Sequence, residues 1–313
     1  MKSKRERPNQ AIEPTPIAIG VVHGERSARK NMSHPKRNYY KYRPLYSNRL
    51  RRVPHELTQS LIESRRLFYA APNSFNDPFD CNLQLHANDS TDDDWIDYID
   101  ALIAQYPIRR AQLIVVKDQR LWNTHPELGD FGLGTRRTIY EESSVLCLAG
   151  RPDSILMFAF YADDHHGVAV ELEFSNAEIP CGILCGDLSD PANLYERKIT
   201  ADDIEYLSDL PELNYHRLYG TPQLVKSLMF TKSNEWSHEK EFRVFRKGVA
   251  ASYVEFPALM IKRVIFGART GSAEVDLVKH WLDSHGHPVI LAKAEVSAST
   301  FGFDVSDFET YQP

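Results

Sequence analysis

Leu67-Phe68-Tyr69-Ala70-Ala71-Pro72-Asn73-Ser74-Phe75-Asn76-Asp77-Pro78-Phe79-Asp80-Cys81 is a short apolar run that breaks into a loop crowded with turn formers. The run Leu67–Ala70 reads as a strand. Pro78 fixes its own φ and pushes Asp77 into extended backbone. Asn73 and Asn76 are expected to fold back onto the local backbone as Asx turns. Phe75 and Phe79 give the loop apolar anchors. A loop this stiff holds carboxylates and amides at a fixed place, which suits a binding site; a structural corner uses the same chemistry.

Outward from this loop, short strands alternate with helices without a regular βαβ rhythm. Tyr39–Arg43 reads as the first strand, ended by Pro44, and Pro54 opens a helix with Leu57, Leu61 and Ile62 at helical spacing. Ser90 or Thr91 caps a helical stretch, with Asp92, Asp93 and Asp94 in the first turn, where the helix dipole favours anions. A second helix is expected over Arg109–Trp122. Strands are expected at Val145–Ala149, Val168–Phe174, around Ile183, Phe242–Phe245, Met260–Phe266 and Pro288–Val296. Helices are expected over Gln223–Phe230 and from Ser272. The pattern predicts an α+β fold: a mixed, mostly antiparallel central sheet with flanking helices and a helical insertion near 91–142. The expected organisation is a disordered basic arm over 1–38, one domain over 39–300 and a tail over 301–313. Met32 is an alternative start to Met1.

The chain has 313 residues, 42% of them hydrophobic and 26% charged, enough to bury one substantial core. No apolar run approaches the length of a membrane span, and Ile17–Val22 is too short for a signal sequence. Four cysteines fit a cytoplasmic protein. Residues 1–52 hold 14 Lys+Arg against 3 Asp+Glu, while the rest holds 23 against 40, so a basic arm precedes an acidic body. Such an arm can contact nucleic acid through counterion release, or be a solvated tail.

Two strands concentrate chemistry. In Glu239-Lys240-Glu241-Phe242-Arg243-Val244, alternation puts Glu239, Glu241 and Arg243 on one face and Phe242 and Val244 in the core. This is either an exposed edge with a charge ladder or a carboxylate at the base of a cleft, held by the arginine. In Tyr39–Arg43, Tyr39, Lys41 and Arg43 share one face and Tyr40 and Tyr42 the other, and the arginine offers a planar fork to phosphate or carboxylate. Between them Phe158–Tyr161 forms an aromatic segment ahead of the strand from Gly167. Other clusters read as structural, and no metal is expected. Asp92–Asp94 start a helix, Asp163-Asp164-His165-His166 is a polar turn, and Cys181 and Cys185 are free thiols. Gly129–Gly134 lacks the strand and lysine of a phosphate loop.

These landmarks resemble a bacterial family of unknown function numbered twenty-nine seventy-one. The family pattern is a Tyr-Lys-Tyr-Arg strand (here 40–43), an Asn-Asp-Pro-Phe-Asp loop (76–80), a Met-Trp-x-x-Tyr-Ala segment (157–162) and a Trp-x-x-Glu-x-Glu-x-Arg run (236–243). Phe158 stands where the family usually has Trp. The order of basic strand, aromatic segment and acidic strand is also distantly similar to the ADP-ribosyltransferase superfamily. That resemblance implies NAD as co-substrate. Arg43 would hold its phosphates, with Tyr42, Asn76, Asp77 and Arg243 around it. Tyr161 or Phe158 would stack on nicotinamide. Glu241 would act at the ribose, and Glu239 would orient the nucleophile of a nucleic-acid or protein acceptor. The chain departs from that superfamily in lacking a Ser-Thr-Ser strand after the aromatic segment. An NAD-dependent transferase, as a toxin or phage-defence effector, is the first expectation. A non-catalytic nucleotide-sensing or interaction module of a defence or stress locus is the alternative.

Overall fold

The computed structural model describes residues 35–122, 128, 139–175, 178–180 and 199–313. The expected arm up to residue 34, the strand around Ile183, Cys181, Cys185 and Gly129–Gly134 lie outside the described residues.

Eight strands form the main sheet, numbered here in chain order: β1 (Arg37–Arg43), β2 (Ser144–Ala149), β3 (Val168–Phe174), β4 (Ile199–Asp203), β5 (Glu241–Arg246), β6 (Ile261–Phe266), β7 (Val289–Val296) and β8 (Phe303–Tyr311). Their order is β8-β7-β6-β3-β1-β2-β5-β4. Neighbours run antiparallel except β6 and β7. The helices with described limits are α1 (Glu56–Ile62), α2 (Asp92–Gln105), α3 (Arg110–Asp118), α4 (Ile155–Tyr161), α5 (Tyr215–Leu218), α6 (Pro222–Met229) and α7 (Ser272–Leu282). The fold is α+β. Among the described residues no helix is long and apolar enough to cross a membrane.

Alternation along the strands divides the core. Tyr39, Leu148, Val170, Phe242 and Val244 join one cluster with Leu61 of α1 and Trp281 of α7. On the opposite parity, Val145 and Phe245 pack with Tyr98, Ile99 and Leu102 of α2, and Tyr40, Tyr42 and Ala149 pack with Met157 and Phe158 of α4. Helix α2 starts where its sequence directs: Thr91 accepts from the Asp94 amide and Asp94 closes the capping box. The expected tail over 301–313 is instead strand β8. Its pairing along β7 supplies the backbone partners that the β7 edge would otherwise lack, and Phe303 and Val305 pack on the core.

The sheet is split beside β2. Strand β1 pairs with β2 through Tyr40 and Ala149. At the other end of β2, Val145 exchanges both backbone hydrogen bonds with Ala70, at 2.9 and 2.8 Å. Ala70 follows a separate strand, Arg66–Tyr69, that pairs with Ser252–Glu255. Backbone groups in an antiparallel ladder alternate edges, so those of Cys147, midway between, face the fork. There Lys41 Nζ, rather than a strand amide, donates to the Cys147 carbonyl at 2.6 Å.

Candidate functional site

A cavity of about 320 Å³ opens at this fork. Because the strands diverge, the consecutive residues Tyr40, Lys41, Tyr42 and Arg43 all border it, although they alternate faces. Cys147 and Ala149 of β2, Met157 and Tyr161 of α4, Phe75, Asn76 and Asp80 of the loop, and Lys232, Glu239 and Glu241 also border it. Arg43, Tyr161 and Glu241, which the sequence separates by some two hundred residues, border one cavity.

The loop is held in place by Arg243. Its guanidinium is 0% exposed. It grips Glu241 through Nε and Nη2 at 2.8 and 3.0 Å, and Asp80 through Nη1 and Nη2 at 2.8 and 3.1 Å. It also donates to the Met229 carbonyl at 2.8 Å, and its guanidinium carbon lies 5.6 Å from the Phe75 ring centre. Expected to touch a ligand, Arg243 is not among the cavity-lining residues; its donors are spent on the two acids, the Met229 carbonyl and Cys81 Sγ, and it positions the acids. The Asx turn is made by Asp77, whose Oδ1 accepts from the Phe79 amide at 2.9 Å, rather than by Asn73 or Asn76. Cys81 adopts φ 56°, which turns the chain out of the loop.

Glu239 does not share a strand with Glu241. It ends a 3-10 turn, Asn234–Glu239, and Lys240 follows in the left-handed conformation at φ 46°. This kink still brings Glu239 to the cavity. Its Oε1 accepts from Tyr161 Oη at 2.6 Å and its Oε2 from Lys232 Nζ at 2.7 Å. Lys232 also lies 3.5 Å from Glu241 and 3.4 Å from Asp80. Burial alone would raise the Glu241 carboxyl, but Arg243 and Lys232 more than offset it and hold it well below the usual range. Conversely, burial would lower Lys232, and the surrounding acids Glu241, Asp80 and Glu239 raise it. Glu241 and Lys232 are therefore both charged at neutral pH.

The two β1 cations are placed differently. Neither Lys41 nor Arg43 has a carboxylate within ion-pairing distance among the described residues, and Arg43 Nε is buried without a hydrogen-bond acceptor in the protein. Burial lowers Lys41 to about 8, and the neighbouring Arg43 charge adds to the drop. Burial likewise lowers Arg43 to about 10. Lys41 keeps some surface open to the cavity, yet it is deep among protein atoms, and the depth governs its charge. Two neighbouring cations in no ion pair form a ready site for an anion.

Tyr42 lines the cavity and donates to the Arg151 carbonyl at 2.8 Å. Phe158 is fully buried, edge-on to Tyr42 at 4.9 Å, so of the two aromatic candidates Tyr161 is the one at the cavity. Asn76 lines the cavity, whereas Asp77 turns to a different one. Sequence reasoning, which took the Asn76–Asp80 loop as a wall of the pocket, did not single out Asp80, and it missed Lys41 and Lys232 as site residues. Lys41 shares parity with Arg43, and Lys232 is a lone cation just after the apolar run Leu228-Met229-Phe230; both were visible signals. No family model matches the chain, and no curated protein or solved structure is significantly similar to it.

Proposed function

We propose that the forked cavity binds NAD and that the chain is an NAD-dependent transferase of the ADP-ribosyltransferase type, acting in the cytoplasm on a macromolecular acceptor. The observation that carries the reading is that one cavity is bordered both by Lys41 and Arg43, neither in an ion pair among the described residues, and by the acids Glu239 and Glu241. The cations suit a diphosphate. At about 320 Å³ the cavity is at the small end of ligand sites, so the adenosine half of NAD extends toward solvent. Tyr161 and Phe75 offer aromatic surface to the nicotinamide.

A carboxylate held ionised is suited to electrostatic work rather than to proton donation. Glu241 accepts a hydrogen bond from a ribose hydroxyl and stabilises the positive charge that grows at the anomeric carbon. The glycosidic bond breaks, its electron pair leaves with neutral nicotinamide, and the acceptor's nucleophile forms the new bond. Glu239 orients that nucleophile, whose proton passes to solvent. The order of basic strand, aromatic segment and acidic strand supports the same reading.

The test is nicotinamide release from NAD. The wild type is expected to release it. Glu241→Gln, in which Asp80 still pairs Arg243, is expected to fold and lose at least 100-fold in rate, the scale of removing one electrostatic stabiliser. Undiminished release in that variant sinks the assignment. A second reading, a non-catalytic nucleotide sensor, is favoured by the fact that both Glu241 oxygens are already gripped by Arg243. Saturable NAD binding with no release by the wild type would select it. Toxicity on expression in a host, relieved by Glu241→Gln, would favour the effector role.

A further inference from the structure

On the far side of the loop from the forked cavity lies a second one, of about 140 Å³. The loop divides its residues between the two: Phe75, Asn76 and Asp80 face the first, Asp77 and Phe79 the second. Lys232 borders both. Asp77 is only 7% exposed, and its Oδ2 is buried with no hydrogen-bond donor in the protein, while Oδ1 is occupied by the Phe79 amide. Among the described residues lining this cavity the one cation, Lys232, is committed to Glu239, Asp80 and Glu241. Exposed Asp209 adds negative charge at the rim. The same rim carries two exposed apolar side chains, Phe79 at 54% and Leu210 at 65%.

A buried acceptor below an apolar collar asks for a particular shape of ligand. The ligand must bring a cationic hydrogen-bond donor at its tip and a hydrocarbon stem behind it. The volume corresponds to about five water molecules at ~30 Å³ each, room for one side-chain head and too little for a nucleotide. We infer that this second cavity binds the cationic end of an arginine or lysine side chain presented by a protein partner, with Asp77 Oδ2 as its acceptor. A guanidinium or ammonium tip satisfies the orphan oxygen through a charge-assisted bond. The methylene stem lies along Phe79 and Leu210. The inference does not depend on what fills the forked cavity. If that cavity does hold NAD, the second one, sharing Lys232 and the loop with it, is a docking point for the acceptor protein.

The experiment is ligand-observed saturation-transfer NMR on the full chain without nucleotide, with N-acetyl-arginine methylamide, N-acetyl-lysine methylamide and, as the neutral control, N-acetyl-norleucine methylamide. Saturable binding of at least one basic probe is expected, with norleucine at least tenfold weaker. Asp77→Asn keeps an oxygen to accept from the Phe79 amide and is expected to weaken the basic probe at least tenfold while its melting temperature stays at or above that of the wild type. Leu210→Lys, at an exposed position remote from the core, sets a competing cation on the rim and is expected to weaken binding at least fivefold, so the test stands even if Asp77→Asn fails to fold. Arg43→Gln, which bears on the forked cavity alone, is expected to leave the probe's affinity unchanged. The inference is overturned if the wild type shows no saturable binding, if norleucine binds as well, or if folded Asp77→Asn or Leu210→Lys binds as tightly as the wild type.

Discussion

Replacing Lys41 by methionine separates what the cavity needs from what the fold needs. In the folded chain the ammonium is buried beside another cation, and its pKa falls from the ordinary 10.5 to about 8. That drop corresponds to on the order of 3 kcal/mol of stability withheld while the side chain is charged. The folded state therefore binds fewer protons than the unfolded state between pH 8 and 10.5, and wild-type stability rises with pH across that window. Below pH 8 both states are protonated and the whole cost is felt. The thioether of the Lys41→Met variant carries no charge, so the cost vanishes, but the Cys147 carbonyl loses its donor, worth about 1–3 kcal/mol. At pH 7 the variant should accordingly be as stable as the wild type or about 1–2 kcal/mol more so, by difference of the two magnitudes. Urea unfolding of both proteins from pH 7 to 10 reads the effect. Stability of the wild type relative to the variant should climb by on the order of 3 kcal/mol toward pH 10.5. A pH-independent difference, or a variant several kcal/mol weaker at every pH, would mean that the ammonium is a structural strut and refute the reasoning.

Arg243→Met should cost about 3–5 kcal/mol in chemical denaturation, because Glu241 and Asp80 would stay buried without the guanidinium that bonds both, leaving Lys232, already bonded to Glu239, as their one shared cation; a cost under about 1 kcal/mol would show that the cluster relaxes at no expense. Gly167→Ala puts a Cβ 2.3 Å from the Arg43 carbonyl oxygen and 2.9 Å from Ala162, so overpacking should destabilise the chain by about 1–3 kcal/mol in chemical denaturation and displace the end of β1, with weaker NAD binding by isothermal titration. Unchanged stability and binding would contradict the close packing of β1 on this turn.

Local pattern made much of the fold legible. Strand β3 matches its expected limits, β2 and β5 differ by one residue at one or both ends, and the capping box of α2 could be read directly from Thr91 and Asp94. The alternation of Phe242 and Val244 against Glu241 and Arg243 was equally plain, because period two is local chemistry. Lys240 defeated the extension of that period to Glu239: a left-handed residue needs no glycine, and nothing in Glu-Lys-Glu marks the kink. Strand β8, within the expected tail, was missed because Phe303, Val305 and Phe308 are diluted by acids, as on an edge strand with one wet face. The fork beside β2 was invisible for a deeper reason. It is set by which segment reaches Val145 first, Ala70 or β1, and that is a non-local competition that no window of sequence contains. Hence Arg43, and Lys41 on its parity, could be nominated from their own chemistry, while the missing ladder bond that brings Lys41 to the Cys147 carbonyl could not be foreseen.

Isothermal titration of NAD into the wild type and Arg43→Gln, at pH 7 and moderate salt, tests most directly whether the unpaired guanidinium at the fork exists to hold a phosphate-bearing ligand. One-site saturable heat in the wild type and at least a tenfold weaker constant in the variant is the predicted result. No heat in the wild type, or the same constant in both proteins, would contradict it.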